Sequence, residues 1–351
     1  MNRRVAAFVK RVARVARVDV HRYRQPIVSS AMQLFAPKFS TDDIAREIDR
    51  ITTSPASVCV LTDGYVAPPP GAGLVIDCRT GRRDDLAALP AETVFVYACD
   101  SDEIGSPWVR ALIQQRRRFY PVTAYSPSTY AHINDLARRT LEAEFVEQTA
   151  GGYAKWDFGP GDFLNVVQAI DLTANIDGDY VEIGCYRGSS ACVAVRYMRE
   201  RGMARHCYFF DTFDGFSYDA ARASSDALWS GTHATEGEQT VRDRIERYAD
   251  PAHGLRVTVE RLNIVEQELP QSIRNVAVAN VDVDLYEAVR DGIAKIAPRI
   301  VPGGILIVED PGHTPALIGS RVALSDFMET SLAQAFTPVY VESGQTLLIR
   351  R

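Results

Sequence analysis

The chain is short of several things that would each name a function class. None of its six cysteines (Cys59, Cys78, Cys99, Cys185, Cys192, Cys207) forms a CxxC pair. Four of them sit in apolar, strand-like runs, so buried free thiols in a reducing cytoplasm are expected in place of disulfides or a metal knuckle. No run of 18 apolar residues occurs, and no transmembrane helix is expected. The N-terminus lacks the apolar core and small-residue cleavage site of a secretory signal. Positive charge is not in excess: the formal net charge of −6 argues against a surface built generally for nucleic acid. There is no internal repeat and no low-complexity segment.

What is present fits about two domains in 351 residues. Residues 1–26 hold eight Arg or Lys against one acid, so the remaining residues carry −13. Within them, Val5, Phe8, Val9, Val12, Val15 and Ala16 recur at helical spacing with basic residues between. This predicts a basic amphipathic leader over 1–26 whose helix covers 1–18, packed on its own domain or a partner, touching an anionic membrane surface peripherally, or serving as a mitochondrial transit peptide. Residues 27–150 read as a small α/β domain of unknown role. A capped helix is expected over 40–52, with Ser40 and Asp43 at capping-box spacing. Apolar runs at Ser57–Leu61, Leu74–Ile76 and Thr93–Ala98 alternate with helical stretches at 82–89 and 106–118, which implies parallel strands. Each run ends near an aspartate (Asp63, Asp77, Asp100) that either lines a cleft or caps the next helix. The Gly- and aromatic-rich stretch 150–161 marks a domain boundary, with a second domain over 151–351.

The second domain opens its chemistry at Tyr180–Ile183, a strand followed by Gly184-Cys185-Tyr186-Arg187-Gly188-Ser189 and a helix from about Ser189. A glycine turn between strand and helix lets backbone approach a ligand, and the helix N-terminus adds N–H donors. A dinucleotide fingerprint requires GxGxxG, with its middle glycine clearing room for a pyrophosphate. Here the pattern is ExGxxxG, so a dinucleotide oxidoreductase is the least favoured reading. Glu182 places an anion near the turn, unsuited to phosphate and suited to a cationic amino-acid moiety. The next strand, Cys207–Phe210, ends in Asp211-Thr212-Phe213. Asp211 lies 29 residues after Glu182, placed to accept both ribose hydroxyls. A nucleoside with an amino-acid tail and no phosphate is S-adenosylmethionine. Asn263, near the end of a third strand in 256–269, is a candidate for the adenine.

A strand over Val276–Val283 carries Asp282, and Ile305–Val308 ends in Glu309-Asp310. One strand–helix–strand step separates them, so Asp282, Glu309 and Asp310 reach one sheet edge as a carboxylate cluster fit for Mg²⁺. A divalent cation lowers the pKa of a bound hydroxyl and orients it for attack. His233, in the loop 224–239, and His313 are candidates for removing the proton.

These pieces in order (GDYVEIGCYRGSSA, FFDTFDGF, the histidine-bearing loop ahead of TVRDRIERY, VDVDLYEAV and PGGILIVEDPG) resemble the Mg²⁺-dependent macrocin/mycinamicin-type O-methyltransferases of antibiotic-sugar biosynthesis. The resemblance spans about 160–320. It implies a class I Rossmann-like sheet of seven strands with the last antiparallel, closed by a hairpin of Pro338–Glu342 and Thr346–Arg350. It also implies Asp282, Glu309 and Asp310 as metal ligands and His233 as base. The family's paired aspartates after the fifth strand stand here as Glu309-Asp310. The expected function is metal-dependent O-methylation of a small-molecule hydroxyl, on a sugar of a natural product or glycan, by a cytoplasmic homo-oligomer that binds no nucleic acid. Metal-free methylation of another acceptor such as a nitrogen, and a non-catalytic S-adenosylmethionine-binding scaffold, are the alternatives.

Overall fold

Ser40 opens the first described helix, α1 (Thr41–Ile51), on the expected capping box. Its N–H donates to Asp43 Oδ2 at 2.8 Å, and the Asp43 N–H returns to Ser40 Oγ at 3.2 Å. The computed structural model describes residues 39–51, 57–99, 102–122, 134–151, 160–224, 230–313, 318–341 and 343–351. The basic leader, Asp100 and most of the 150–161 stretch lie outside these residues. Among them the chain divides into two compact units between Arg139 and Thr140. That division falls before the 150–161 stretch, where the composition suggested one.

In the first unit, β1 (Val58–Thr62), β2 (Leu74–Asp77), α2 (Asp85–Ala88), β3 (Val94–Ala98), α3 (Asp102–Gln114) and β4 (Phe119–Pro121) follow α1. The sheet order is β2-β1-β3-β4, and all pairings are parallel. Every residue of β1 is buried, as a central parallel strand requires. The fourth strand escapes pattern reading because three residues ending in Pro121 carry no alternation.

The second unit begins in α4 (Asp135–Ala150) and α5 (Pro160–Leu172). Then come β5 (Asp179–Ile183), α6 (Ser189–Glu200), β6 (His206–Asp211), α7 (Asp219–Ala223), α8 (Glu238–Glu246), β7 (Arg256–Arg261) and β8 (Val276–Val281). They are followed by α9 (Tyr286–Ile296), β9 (Ile300–Val308), α10 (Asp310–His313), α11 (Ile318–Met328), β10 (Phe336–Tyr340) and β11 (Thr346–Arg350). The sheet order is β10-β11-β9-β8-β5-β6-β7. β11 runs antiparallel to both neighbours and every other pairing is parallel, so the expected class I sheet with an antiparallel last strand is present. β8 is buried along its whole length at the centre. Helix α9 buries Ala288, Val289, Gly292, Ile293 and Ile296, one stripe at helical spacing, into a core shared with Val281, Leu306 and Phe327. Among the described residues no helix is long and apolar enough to cross a membrane.

Register is what positions the site. Ile183 pairs with Phe210 on β6 and with Val281 on β8, and Val281 pairs with Val308 on β9. The next residue on each strand is therefore Gly184, Asp211, Asp282 and Glu309. Residues spread over more than a hundred positions stand in one row at the C-terminal edge of the sheet, where ligands bind in open α/β folds.

Candidate active site

Gly184 leaves β5 with φ of 94°, and a Cβ built there would stand 1.6 Å from the Asp282 carbonyl oxygen. Only glycine lets the β5 turn close against the end of β8. Its N–H donates to the Phe210 carbonyl at 2.7 Å, which ties the turn to β6 as well. The turn closes when the Gly188 N–H reaches the Cys185 carbonyl at 2.7 Å, and Gly188 (φ 81°) starts helix α6. Cys185 is buried, and Ser189, the first residue of that helix, is nearly so. Arg187 lies over the Tyr186 ring at 5.2 Å and pairs with Glu236 at 3.2 Å.

Glu182 is wholly buried beneath this turn. The Tyr180 hydroxyl donates to its Oε2 at 2.7 Å, and the Ser190 hydroxyl donates to its Oε1. Burial pushes the carboxyl up to about 7, against the two hydroxyls that hold it down. The sequence suggests an anion near the turn, placed for a cationic amino-acid moiety. The structure shows an internal strut, because Tyr180 shares its strand face and Ser190 sits in the first turn of α6.

Asp211 ends β6 with both oxygens turned to backbone. Oδ2 accepts the Tyr186 N–H at 2.8 Å and Oδ1 accepts the Phe213 N–H at 2.7 Å. A carboxylate oxygen has two lone-pair sites, so each keeps capacity for a ribose hydroxyl. Burial raises its pKa and the two N–H donors oppose the rise. The Thr212 hydroxyl turns to the Gly215 carbonyl at 3.0 Å, and Asn263 Oδ1 caps the Val265 N–H at 3.1 Å. Both residues, suggested for the cofactor, use these atoms to shape their own loops.

His233 is brought to the same place. The segment Phe213–Phe216 pairs with Gly231–Thr235 through Thr235 N–H to Phe213 O (3.1 Å), Phe216 N–H to Thr232 O (3.0 Å) and Gly231 N–H to Phe216 O (3.0 Å). The ring of His233 meets Tyr186 edge-on at 5.5 Å and Phe216 at 5.2 Å. Its Nδ1 lies 2.6 Å from the Thr232 hydroxyl. His313 closes the short helix α10.

Among the described residues, the group able to hold a metal ion is Asp282, Asp284 and Asp310, whose ligand atoms lie within 4.8 Å of one another. This group differs from the expected set in having Asp284 in place of Glu309. The reason is backbone direction. Glu309 still follows the strand ladder, its N–H on Val281 O at 3.0 Å, whereas Asp310 begins a helix and turns away from it. Asp284 has a left-handed backbone (φ 56°), and its N–H donates to Asp310 Oδ2 at 3.0 Å, which draws these two together. Glu309 is buried, hydrogen-bonded to Asp310 and within electrostatic reach of Asp282 and Asp162. Burial, then neighbouring carboxylates, raise Asp282, Glu309 and Asp310 well above the usual carboxylate range. Hard oxygen donors that repel one another in this way fit a divalent cation.

Residues 162–337 match the macrocin-O-methyltransferase (TylF) family. The chain belongs to that family. Each sequence-derived site residue lies within the family segment, whereas the first unit and α4 precede it. A curated relative from Streptomyces olivaceus, 8-demethyl-8-(2,3-dimethoxy-alpha-L-rhamnosyl)-tetracenomycin-C 4'-O-methyltransferase, is 28% identical over 152 residues. That alignment covers 40% of this chain and 55% of the relative, so the chain spans about half the length of its curated relative. Among solved structures, the O-methyltransferase NovP is similar at 22% identity over 55% of this chain and 81% of its own, with a TM-score of 0.44. The calicheamicin methyltransferase CalS11 is similar at 17% identity over 65% of this chain and 94% of its own, with a TM-score of 0.45.

Sequence reading missed two acids. Asp284 carried little signal, because its place in the group depends on a left-handed backbone just past the end of β8. Asp162, on α5, carried none, because only tertiary packing brings it near Asp282 and Glu309.

Proposed function

We propose that the second unit transfers a methyl group to a sugar hydroxyl of a natural product, with a divalent cation held by Asp282, Asp284 and Asp310. The observation that carries this reading is the row at the sheet edge: a nucleoside-type acid at Asp211 and a three-carboxylate group at Asp282, separated only by the Gly184 turn. S-adenosylmethionine, when bound, supplies an electrophilic methyl group on sulfur and leaves no charge to be handled by a phosphate site. The bound cation would lower the pKa of the acceptor hydroxyl.

The chain's own residues have distinct tasks here. Asp211 receives the ribose hydroxyls while its backbone partners hold it in register. Tyr186 and the loop to Ser189 line the amino-acid end, with Glu182 bracing that loop from within. His233, oriented by Thr232 and held between the Tyr186 and Phe216 rings, takes the hydroxyl proton through the ring nitrogen remote from Thr232. The sugar acceptor is supported by the rhamnosyl 4'-position named for the curated relative.

The test is transfer of labelled methyl from S-adenosylmethionine to rhamnosylated aromatic polyketides, with Mg²⁺ and with EDTA. Label should pass with Mg²⁺, stop in EDTA and return when Mg²⁺ is restored, while calorimetric S-adenosylmethionine binding survives EDTA. Undiminished transfer in EDTA would remove the metal from the mechanism. Binding of S-adenosylmethionine without transfer under either condition would favour a non-catalytic scaffold, and absence of binding would overturn the cofactor reading.

A further inference from the structure

We propose that α4, a helix ahead of the family segment, holds the cofactor loop in shape through Glu144 and Arg244. The inference rests on the reading of Gly184–Ser189 as the S-adenosylmethionine loop. Glu144 is fully buried, and the Arg244 side chain is only 11% exposed. One guanidinium nitrogen of Arg244 donates to Glu144 Oε1, and another donates to the Arg187 carbonyl at 2.7 Å. Arg187 lies in the loop itself, between Tyr186 (φ 46°) and Gly188 (φ 81°).

A buried ion pair is weak evidence of stabilisation, because desolvating both charges offsets most of their attraction. Here one partner has a second use. The planar guanidinium makes two directed bonds, and Glu144 fixes the angle at which the second meets the loop. That bond fixes one peptide of a turn in which two of three residues adopt left-handed backbone. Around it, Gly188 packs on Ile245 of α8, where a Cβ would stand 3.0 Å from that side chain. One turn further along α4, Glu147 accepts the Tyr248 hydroxyl at 2.9 Å and pairs with Arg247, so the helix is anchored a second time next to the brace. Glu144 and Arg244 are positioning residues: neither need touch the cofactor, and both set the loop that does.

Calorimetry on the full chain with S-adenosylmethionine, beside thermal melts, tests this. Arg244→Met should weaken binding about tenfold, the scale of one hydrogen bond from a charged donor. Glu144→Gln keeps an acceptor for the guanidinium and should stay within about threefold of the parent. The decisive variant is Glu144→Leu/Arg244→Met, which replaces the buried pair by apolar groups. It should melt near the parent temperature yet remain about tenfold weaker in binding. A double variant that binds like the parent would overturn the proposal and leave the pair a packing device. A parent protein that fails to bind S-adenosylmethionine would instead overturn the reading of the loop.

Discussion

The two units of this chain present the same device, a parallel sheet with acids just past its strand ends, in opposite electrostatic states. In the first unit Asp77 accepts the Arg79 N–H at 2.9 Å and pairs with its guanidinium at 2.6 Å, which holds its carboxyl below the usual range. Asp63 accepts the Tyr65 N–H two residues on. In the second unit Asp282, Asp284 and Asp310 converge on one another, and burial and mutual repulsion raise Asp282 and Asp310. Backbone strain divides the same way. Among the described non-glycine residues with positive φ, Tyr186, Phe213, His233 and Asp284 lie at the second sheet's edge, and only Arg116 lies in the first unit. Acids at strand ends are therefore no sign of a site by themselves. A site is where buried acids gather on one another and strain is tolerated.

The largest effect expected from this contrast is at the trio. Asp282→Ala should lower labelled methyl transfer by roughly a thousandfold or more and abolish Mn²⁺ binding, while S-adenosylmethionine affinity changes little. Asp63→Ala should leave both readouts unchanged. Methyl transfer that survives Asp282→Ala would erase the distinction between the units.

Asp211→Ala should weaken S-adenosylmethionine binding by roughly 10- to 100-fold, the range for losing hydrogen bonds to a charged group. Calorimetry measures it directly. Asp77→Ala, at a comparable strand end in the first unit, should have no effect on the same titration.

Stability against pH separates the units further. Glu182, raised from 4.5 to about 7, stabilises the fold when protonated. That contribution is complete below the unfolded pKa and is lost as pH rises through about 7. The raised trio acids act in the same direction. Without metal, the melting temperature should therefore fall between about pH 5 and pH 8, against the usual trend for paired carboxylates. Mg²⁺ should raise it more at pH 8 than at pH 6, because the cation favours the ionised trio. The lowered Asp77 has the opposite sign, so its contribution is lost only at acid pH. An apo melting temperature that climbs steadily from pH 5 to pH 8 would contradict the buried acids as described.

Much of this was legible because it is local. The Gly184 turn, Asp211 at the end of β6 and the site-bearing strands follow from strand-like apolar runs broken by glycine and acids, whereas the seven-stranded sheet with its antiparallel last strand is what the family resemblance implies. The capping box of Ser40 and Asp43 is likewise a three-residue pattern. What stayed hidden depends on contacts between distant positions. Glu182 reads as an anion for the ligand's amino-acid end until Ser190 and Tyr180 fold onto it. Glu309 reads as part of the carboxylate cluster, whereas the turn at Asp310 groups Asp284 with Asp282 and Asp310. Asp284 needs a left-handed residue that spacing alone does not announce. Arg244 reaches Glu144 across a hundred positions, which no period records.

Glycine gives the last contrast between the units. Gly71 (φ 84°) in the first unit has nothing within 4 Å of a built Cβ, so Gly71→Ala meets only the left-handed backbone penalty, about 1 kcal/mol. Gly184 (φ 94°) carries the same penalty and a collision with the Asp282 carbonyl. Gly184→Ala should therefore cost several kcal/mol, of order 3 or more, or shift β8 away from β5 and loosen both ligand sites. Denaturant unfolding gives the stability difference, and Mn²⁺ titration of Gly184→Ala shows whether the trio moved. Equal costs at the two glycines would mean that the close approach of the β5 turn to Asp282, on which the joined site depends, is not a feature of the molecule in solution.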